Sequence, residues 1–275
     1  MVSAKSVLTP GSVRGGLCIQ VRCSVRDQRR GTPLQAAVKT VVVIRTKTAG
    51  NVRTITLDRP ERRNALTAAG LEQLRGILAD AMEPVLLLRG AGDAFCAGAD
   101  LDEVRALAGG EEARAFAELG QSVARELASY DGAVVAGIDG PARGGGVELA
   151  LACDLRVCTA RSTFAESGVA IGLFGAWGGT ARLPAIVGRG GALDLALTAR
   201  EVDAEGARRL GLVSQIVEEP AAVAREVAAN DAQAVRAVVE LLRAERDESW
   251  IEAQETRERD AFAALVAGGR PIRKD

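Results

Sequence analysis

The stretch that most constrains this chain spans residues 138–154, IDGPARGGGVELALACD. It reads as a strand ending at Asp139 and Gly140, a turn through Gly144, Gly145 and Gly146, and an apolar helix from Val147. Glycines let a backbone turn sharply and let another molecule approach bare peptide N–H groups. A helix starting directly afterwards leaves its first N–H groups without partners and aims the positive end of its dipole at the turn. Negative charge is favoured there, yet Glu148 sets a carboxylate in the first helical turn. A site that stabilises a developing oxyanion while a carboxylate moves a proton needs both features. The turn lacks the GxGxxG spacing of a dinucleotide site and the GK[ST] ending of a phosphate-binding P-loop. Taken alone, it is more readily a tight turn than a site.

The flanking sequence predicts an α/β fold. Residues 41–45 and Val52–Leu57 read as a β-hairpin around Ala49, Gly50 and Asn51. Thr67 is a candidate N-cap for a helix with Leu71, Leu74, Leu78 and Met82 on one face, ended by Pro84. Residues 85–88 form a short buried strand and residues 91–100 a loop. Phe116, Leu119, Val123, Leu127 and Tyr130 mark a second long helix, which reads as core. Ala133–Ile138 and Leu155–Cys158 are further strands, and residues 164–180 a glycine-containing loop. Strand–loop–helix units recurring in this way call for largely parallel strands. Beyond residue 195 the pattern is helical, over 203–210, 220–229, 231–246 and 248–267. Three regions follow: a basic, disordered extension over 1–38, a core over 39–195 and a helical region over 196–275. The extension carries six basic residues against Asp27 and reads as a start placed too far upstream rather than a transit peptide.

Composition narrows the chemistry. The 275 residues contain no histidine, so acid–base work near neutral pH falls to carboxylates, Cys, Lys or Tyr. The five cysteines show neither disulfide nor zinc spacing and read as free thiols of a cytoplasmic protein. A net charge of −1 gives no electrostatic case for nucleic acid or an anionic membrane. No apolar run approaches the ~20 residues of a membrane helix.

Three segments stand out together: TITLDRPERRNAL (54–66), LLLRGAGDAFCAGADL (86–101) and the stretch 138–154. With IGLFGAWGGTARLPAIVG (171–188) and LTAREVDAEGARRLGLVSQIV (197–217), they resemble the crotonase, or enoyl-CoA hydratase/isomerase, superfamily across residues 40–265. The resemblance implies a spiral of ββα units with a C-terminal helical region, assembled as a homotrimer or hexamer. It implies an acyl-CoA thioester substrate, coenzyme A being part of the substrate, with no separate cofactor and no metal. Carried onto this chain, the N–H groups of Ala99 and Gly145 hold the thioester oxygen as negative charge moves onto it, and Glu148 is the general base or acid. The family's second acid falls twenty residues later, on Gly168, so that acid is absent here. Glu166, two residues early, is the candidate second acid from a shifted loop, although a solvent-facing Glu166 is the favoured reading. Arg63, Ala65, Ala97 and Asp100 map to coenzyme A contacts, and Phe174 and Trp177 to the walls of an acyl pocket. The residues 268–271, GGRP, depart from the family's final helix and predict a more open pocket. The reaction expected first is hydration of a 2-enoyl-CoA. Alternatives are decarboxylation or Δ3,Δ2-isomerisation with one carboxylate, and a non-catalytic CoA-ester-binding protein.

Overall fold

The computed structural model describes residues 43–244 and 247–268. The extension 1–38 and the residues 269–271 lie outside the described residues. The chain opens on an antiparallel hairpin, β1 (Ile44–Ala49) and β2 (Val52–Leu57), in which Ala49 pairs with Val52 across a two-residue turn. That register places β1 later than the residues 41–45 expected from the β-branched run. Thr67 accepts the Gly70 N–H and starts α1 (Ala68–Ala79), whose Leu71, Leu74 and Leu78 are buried. Met82 does not belong to that stripe. The helix ends at Ala79, and Met82 is 82% exposed in the turn before β3 (Val85–Gly90).

β3, β4 (Ala133–Ile138), β6 (Leu155–Cys158) and β9 (Gln215–Ile216) extend the sheet in parallel, in the order β1-β2-β3-β4-β6-β9. Both faces are covered, which is why β3 and β4 read as unbroken apolar runs. Leu86, Leu88, Val134 and Ala136 face the main core, while Val85, Leu87, Ala133 and Val135 pack with Val223 and Ala224 of α7 (Pro220–Ala228).

A second, smaller layer stacks beside this sheet. Leu66 bridges to Ala99, Cys96 bridges to Ala142, and β5 (Ala142–Arg143) pairs with β7 (Thr163–Ala165), which pairs with β8 (Val202–Asp203). Each turn of chain therefore runs from a large-sheet strand to a short second-layer pairing and on to a helix. Those helices are α1, α3 (Gly110–Ala128, after the short α2, Leu101–Ala106), α4 (Gly145–Ala152) and α5 (Gly179–Thr198). This is a spiral of ββα units. The segment 164–180 is not loop throughout, since it holds the end of β7 and a 3₁₀ turn, Ser167–Ile171. The expected C-terminal helices are α6 (Ala204–Arg209), α7, α8 (Ala232–Arg243) and α9 (Glu248–Ala267). α9 buries Glu255, Glu258, Phe262 and Ala263. Among the described residues no helix is long and apolar enough to cross a membrane.

Candidate active site

The turn before α4 opens onto a cavity of about 770 Å³. Its wall contains Arg63, Ala65, Ala97, Ala99, Asp100, Gly145, Glu148, Phe174 and Trp177, so the fold gathers these sequence candidates from four separate segments. Gly168 lines it too, with Phe116 of α3 and Phe262 of α9. Trp177 is buried with its ring 6.0 Å from that of Phe116.

Two backbone donors converge there. In the bridge between Leu66 and Ala99, the Leu66 N–H donates to the Gly98 carbonyl and the Asp100 N–H donates to the Leu66 carbonyl. Groups of alternate residues point the same way along an extended chain, so the Ala99 N–H points away from Leu66. Among the described residues it has no backbone acceptor, and neither has the Gly145 N–H at the start of α4. Gly98 has a φ of +85°, and an added Cβ would stand 2.8 Å from both the Arg143 carbonyl oxygen and the Gly145 nitrogen. The two donor segments are therefore in contact.

Glu148 is 1% exposed. Its Oε1 accepts the N–H groups of Trp177 (3.0 Å) and Gly179 (2.7 Å), while Oε2 has no partner among the described residues. Glu148 forms no salt bridge among the described residues, and through Gly179 it also caps the first turn of α5. A Cβ on Gly175 would lie 2.6 Å from the Glu148 carboxyl carbon, so only glycine lets the loop pass so close. Burial first, and the charge of Glu258 second, push the Glu148 carboxyl up to about 8 against the pull of the two amides.

Glu258 is a functional residue that the sequence reading missed. Its Oε1 accepts the Thr180 N–H (2.7 Å) and hydroxyl (2.6 Å), and its Oε2 accepts the Gly178 N–H (2.8 Å). One turn earlier, Glu255 pairs with Arg125 (2.7 Å) and Arg182 (2.9 Å). These contacts clamp the loop whose amides hold Glu148. The signal was two acids on the i, i+3, i+7, i+8 stripe of α9, positions that an ordinary amphipathic helix fills with apolar residues. Asn64 was also missed as a positioning residue. It adopts a φ of +58°, donates to the carbonyls of Ala91 (2.9 Å) and Ala94 (2.8 Å), and accepts the Arg59 N–H (2.9 Å). It thereby fixes the chain that pairs with Gly98 and Asp100.

The favoured solvent-facing reading of Glu166 is overturned. The residue is 8% exposed and its Oε1 has no partner among the described residues. Burial, then the charges of Glu148 and Glu258, hold its carboxyl well above the usual range. It lines not the first cavity but a neighbouring one of about 310 Å³, to which Glu148 also contributes. Gly168 lies on the 3₁₀ turn against Phe174, where an added Cβ would stand 2.6 Å from the Phe174 Cα. Glu at that position has no room without moving the loop. Gly168→Glu is accordingly expected to lower thermal stability by about 1–3 kcal/mol, as overpacking does, and to reduce turnover. Increased turnover with unchanged melting would contradict this packing.

The cavity mouth carries Arg62, Arg63, Arg105 and Arg143 beside Glu61 and Asp102. The Asp100 carboxylate is already engaged, pairing with Arg59 (2.6 Å) and capping α2 through the Asp102 N–H (3.0 Å). The N–H groups of Ala97 and Asp100 are likewise donated, to Arg63 and Leu66. Burial pushes the Cys96 and Cys153 thiols up to about 12 and the Cys158 thiol up to about 11, which removes them as nucleophiles.

The family model of enoyl-CoA hydratase/isomerase matches residues 47–267. A short-chain-enoyl-CoA hydratase of Clostridium acetobutylicum is 36% identical over 174 residues, 62% of this chain and 66% of that protein. A crotonyl-CoA hydratase of Syntrophomonas wolfei is 37% identical over 59% of this chain and 64% of its own length. The chain thus spans a little under two thirds of these relatives. Among solved structures, an enoyl-CoA hydratase from Bacillus anthracis superposes with a TM-score of 0.70 at 33% identity, covering 78% of this chain and 90% of that one. An enoyl-CoA hydratase/isomerase from Xanthobacter autotrophicus Py2 gives 0.76 at 27% identity, covering 84% and 89%. With the ββα spiral, the paired donors and the buried Glu148 already in place, this match along residues 47–267 shows that the chain belongs to the enoyl-CoA hydratase/isomerase, or crotonase, family.

Proposed function

We propose that this protein hydrates a 2-enoyl-CoA to the 3-hydroxyacyl-CoA. The observation that carries the reading is the meeting of two N–H groups, on Ala99 and Gly145, that have no acceptor among the described residues, with the buried carboxylate of Glu148 in one cavity. The thioester oxygen accepts from the two amides, which stabilise the negative charge it gains as water attacks; each such donor contributes on the order of 10²–10³ in rate. Glu148 takes a proton from that water as its oxygen bonds to Cβ, then passes a proton to Cα as the enolate collapses. One water is consumed and the carboxylate is regenerated. Arg63, whose guanidinium forms no ion pair among the described residues, lines the cavity with Arg143 and would meet a coenzyme A phosphate, and the pantetheine would run past Ala65, Ala97 and Asp100. Phe174 and Trp177 bound the acyl end. The reading includes the cytoplasmic site and the homotrimer or hexamer of the family resemblance; free Cys96, Cys153 and Cys158 and the exposed Leu241 and Leu242 of α8 are in keeping with both.

The test is loss of conjugated thioester absorbance from crotonyl-CoA with gain of one water mass. Because Glu148 must be ionised to accept the proton, and its free-enzyme pKa is about 8, kcat/KM should climb about tenfold per pH unit below 8 and level off above it. A profile falling through 8 would make Glu148 an acid from the outset. A second reading is favoured by the closed space at Gly168, which leaves one carboxylate beside the acyl group. If crotonyl-CoA is inert, 3-enoyl and malonyl-type thioesters are the next substrates, for isomerisation and decarboxylation.

A further inference from the structure

Glu148 stands between two cavities. The first, of about 770 Å³, receives the thioester in the reading above; the second, of about 310 Å³, has Glu148, Phe174 and Gly175 as the walls it shares with the first. At ~30 Å³ each, the second has room for about ten waters. Its rim includes Val169 and Leu193, which are 40% and 47% exposed, so it meets solvent independently of the coenzyme A mouth. Glu148 Oε2 and Glu166 Oε1 are buried oxygens that no donor among the described residues reaches, and both residues line this cavity. Buried carboxyl oxygens need donors, and water can supply them here because the otherwise apolar lining carries Thr180, Arg189 and Gln254 beside the two carboxyl groups.

Hydration consumes one water per turnover at a carbon beside Glu148, while the thioester fills the approach through the first cavity. We propose that the second cavity is the port through which water and protons reach Glu148 in the substrate complex, with Glu166 a positioning residue that holds the entering water. This rests on the proposed hydration for its water, but the proton path can be tested without it.

Two readouts separate the claims. One is kcat and KM for crotonyl-CoA. The other is deuterium entry at Cα of butyryl-CoA in D₂O, where Glu148 removes the Cα proton, trades it with solvent and returns a deuteron, with no hydration possible. Ala196 lines the second cavity only and is half-buried, so Ala196→Trp obstructs the port. Ala196→Trp and Glu166→Leu should each slow both readouts about tenfold with KM within twofold, short of the 10²–10⁴ of a proton-transferring group. Glu166→Gln, which still holds water, should keep most of the activity. Wild-type rates in both Ala196→Trp and Glu166→Leu would overturn the port. So would an Ala196→Trp effect confined to KM for longer enoyl chains, which would make this cavity an acyl-tail pocket. Equal losses beyond 10²-fold in Glu166→Leu and Glu166→Gln would overturn the positioning role. A wild-type protein that exchanges Cα protons without hydrating crotonyl-CoA would overturn the hydration reading and leave the port to be judged on exchange. Absence of both activities would overturn both.

Discussion

Glu148→Gln should lower kcat/KM for crotonyl-CoA on the order of 10³-fold, within the range for loss of a positioned proton-transfer group. The Kd for a saturated acyl-CoA should stay within a few fold, since the amide keeps the shape of the carboxyl and its Oε1 can still accept from Trp177 and Gly179. The same change should stabilise the fold at alkaline pH. The folded-state pKa of about 8 lies above the ordinary 4.5, so between these values the folded chain holds a proton that the unfolded chain has released. That contribution is fully present below 4.5, erodes as pH rises, and is lost above 8, where a charge is buried near Glu258 and Glu166. Glutamine carries no such dependence. The variant's melting temperature should match wild type near pH 4 and exceed it by several degrees at pH 9, each pKa unit being worth ~1.4 kcal/mol. A gap independent of pH would place the strain elsewhere, and full activity in Glu148→Gln would sink the proton-transfer role.

The large sheet was legible because its strands are buried on both faces and read as apolar runs: Ala133–Ile138 and Leu155–Cys158 were placed to the residue. The helix from Thr67 was legible at its start, where a capping hydroxyl is a local device, and misjudged at its end, where Met82 merely continued the spacing. The second layer was invisible. Its pairings, Leu66 with Ala99 and Cys96 with Ala142, are single bridges between distant segments and leave no period in the sequence. Glu166 was misread for the same reason. Position along the chain says nothing of whether a 3₁₀ turn will tuck a carboxylate behind Glu148, and burial of an acid is decided by what packs over it. Glu258 lies 110 residues beyond Glu148 in sequence and reaches its loop through α9. Glu148 itself was legible because an acid in the first turn after GGG is a local conflict.

The oxyanion donors are backbone groups, so their test must move the backbone, and Gly98→Ala does so. Gly98 sits at φ +85°, a conformation that costs an L-residue about 1–2 kcal/mol. The added methyl would meet the Arg143 carbonyl oxygen and the Gly145 nitrogen at 2.8 Å, and both are backbone atoms that cannot swing aside. Relief must separate the loop bearing Ala99 from the turn bearing Gly145, which spoils both donors together. A kcat loss on the order of 10²–10³-fold is expected, with Glu148 and its amide partners untouched. Unlike Glu148→Gln, this variant should melt lower at every pH, because strain does not titrate. Kinetics within threefold of wild type would show that Ala99 and Gly145 do not act as donors. The double variant separates the roles further. Charge held by the two amides is the charge that Glu148 protonates at Cα, so the groups serve one transition state and their losses should not multiply. Gly98→Ala/Glu148→Gln should therefore be little slower than Glu148→Gln alone; a full product of the two losses would assign the amides and the carboxylate to separate steps.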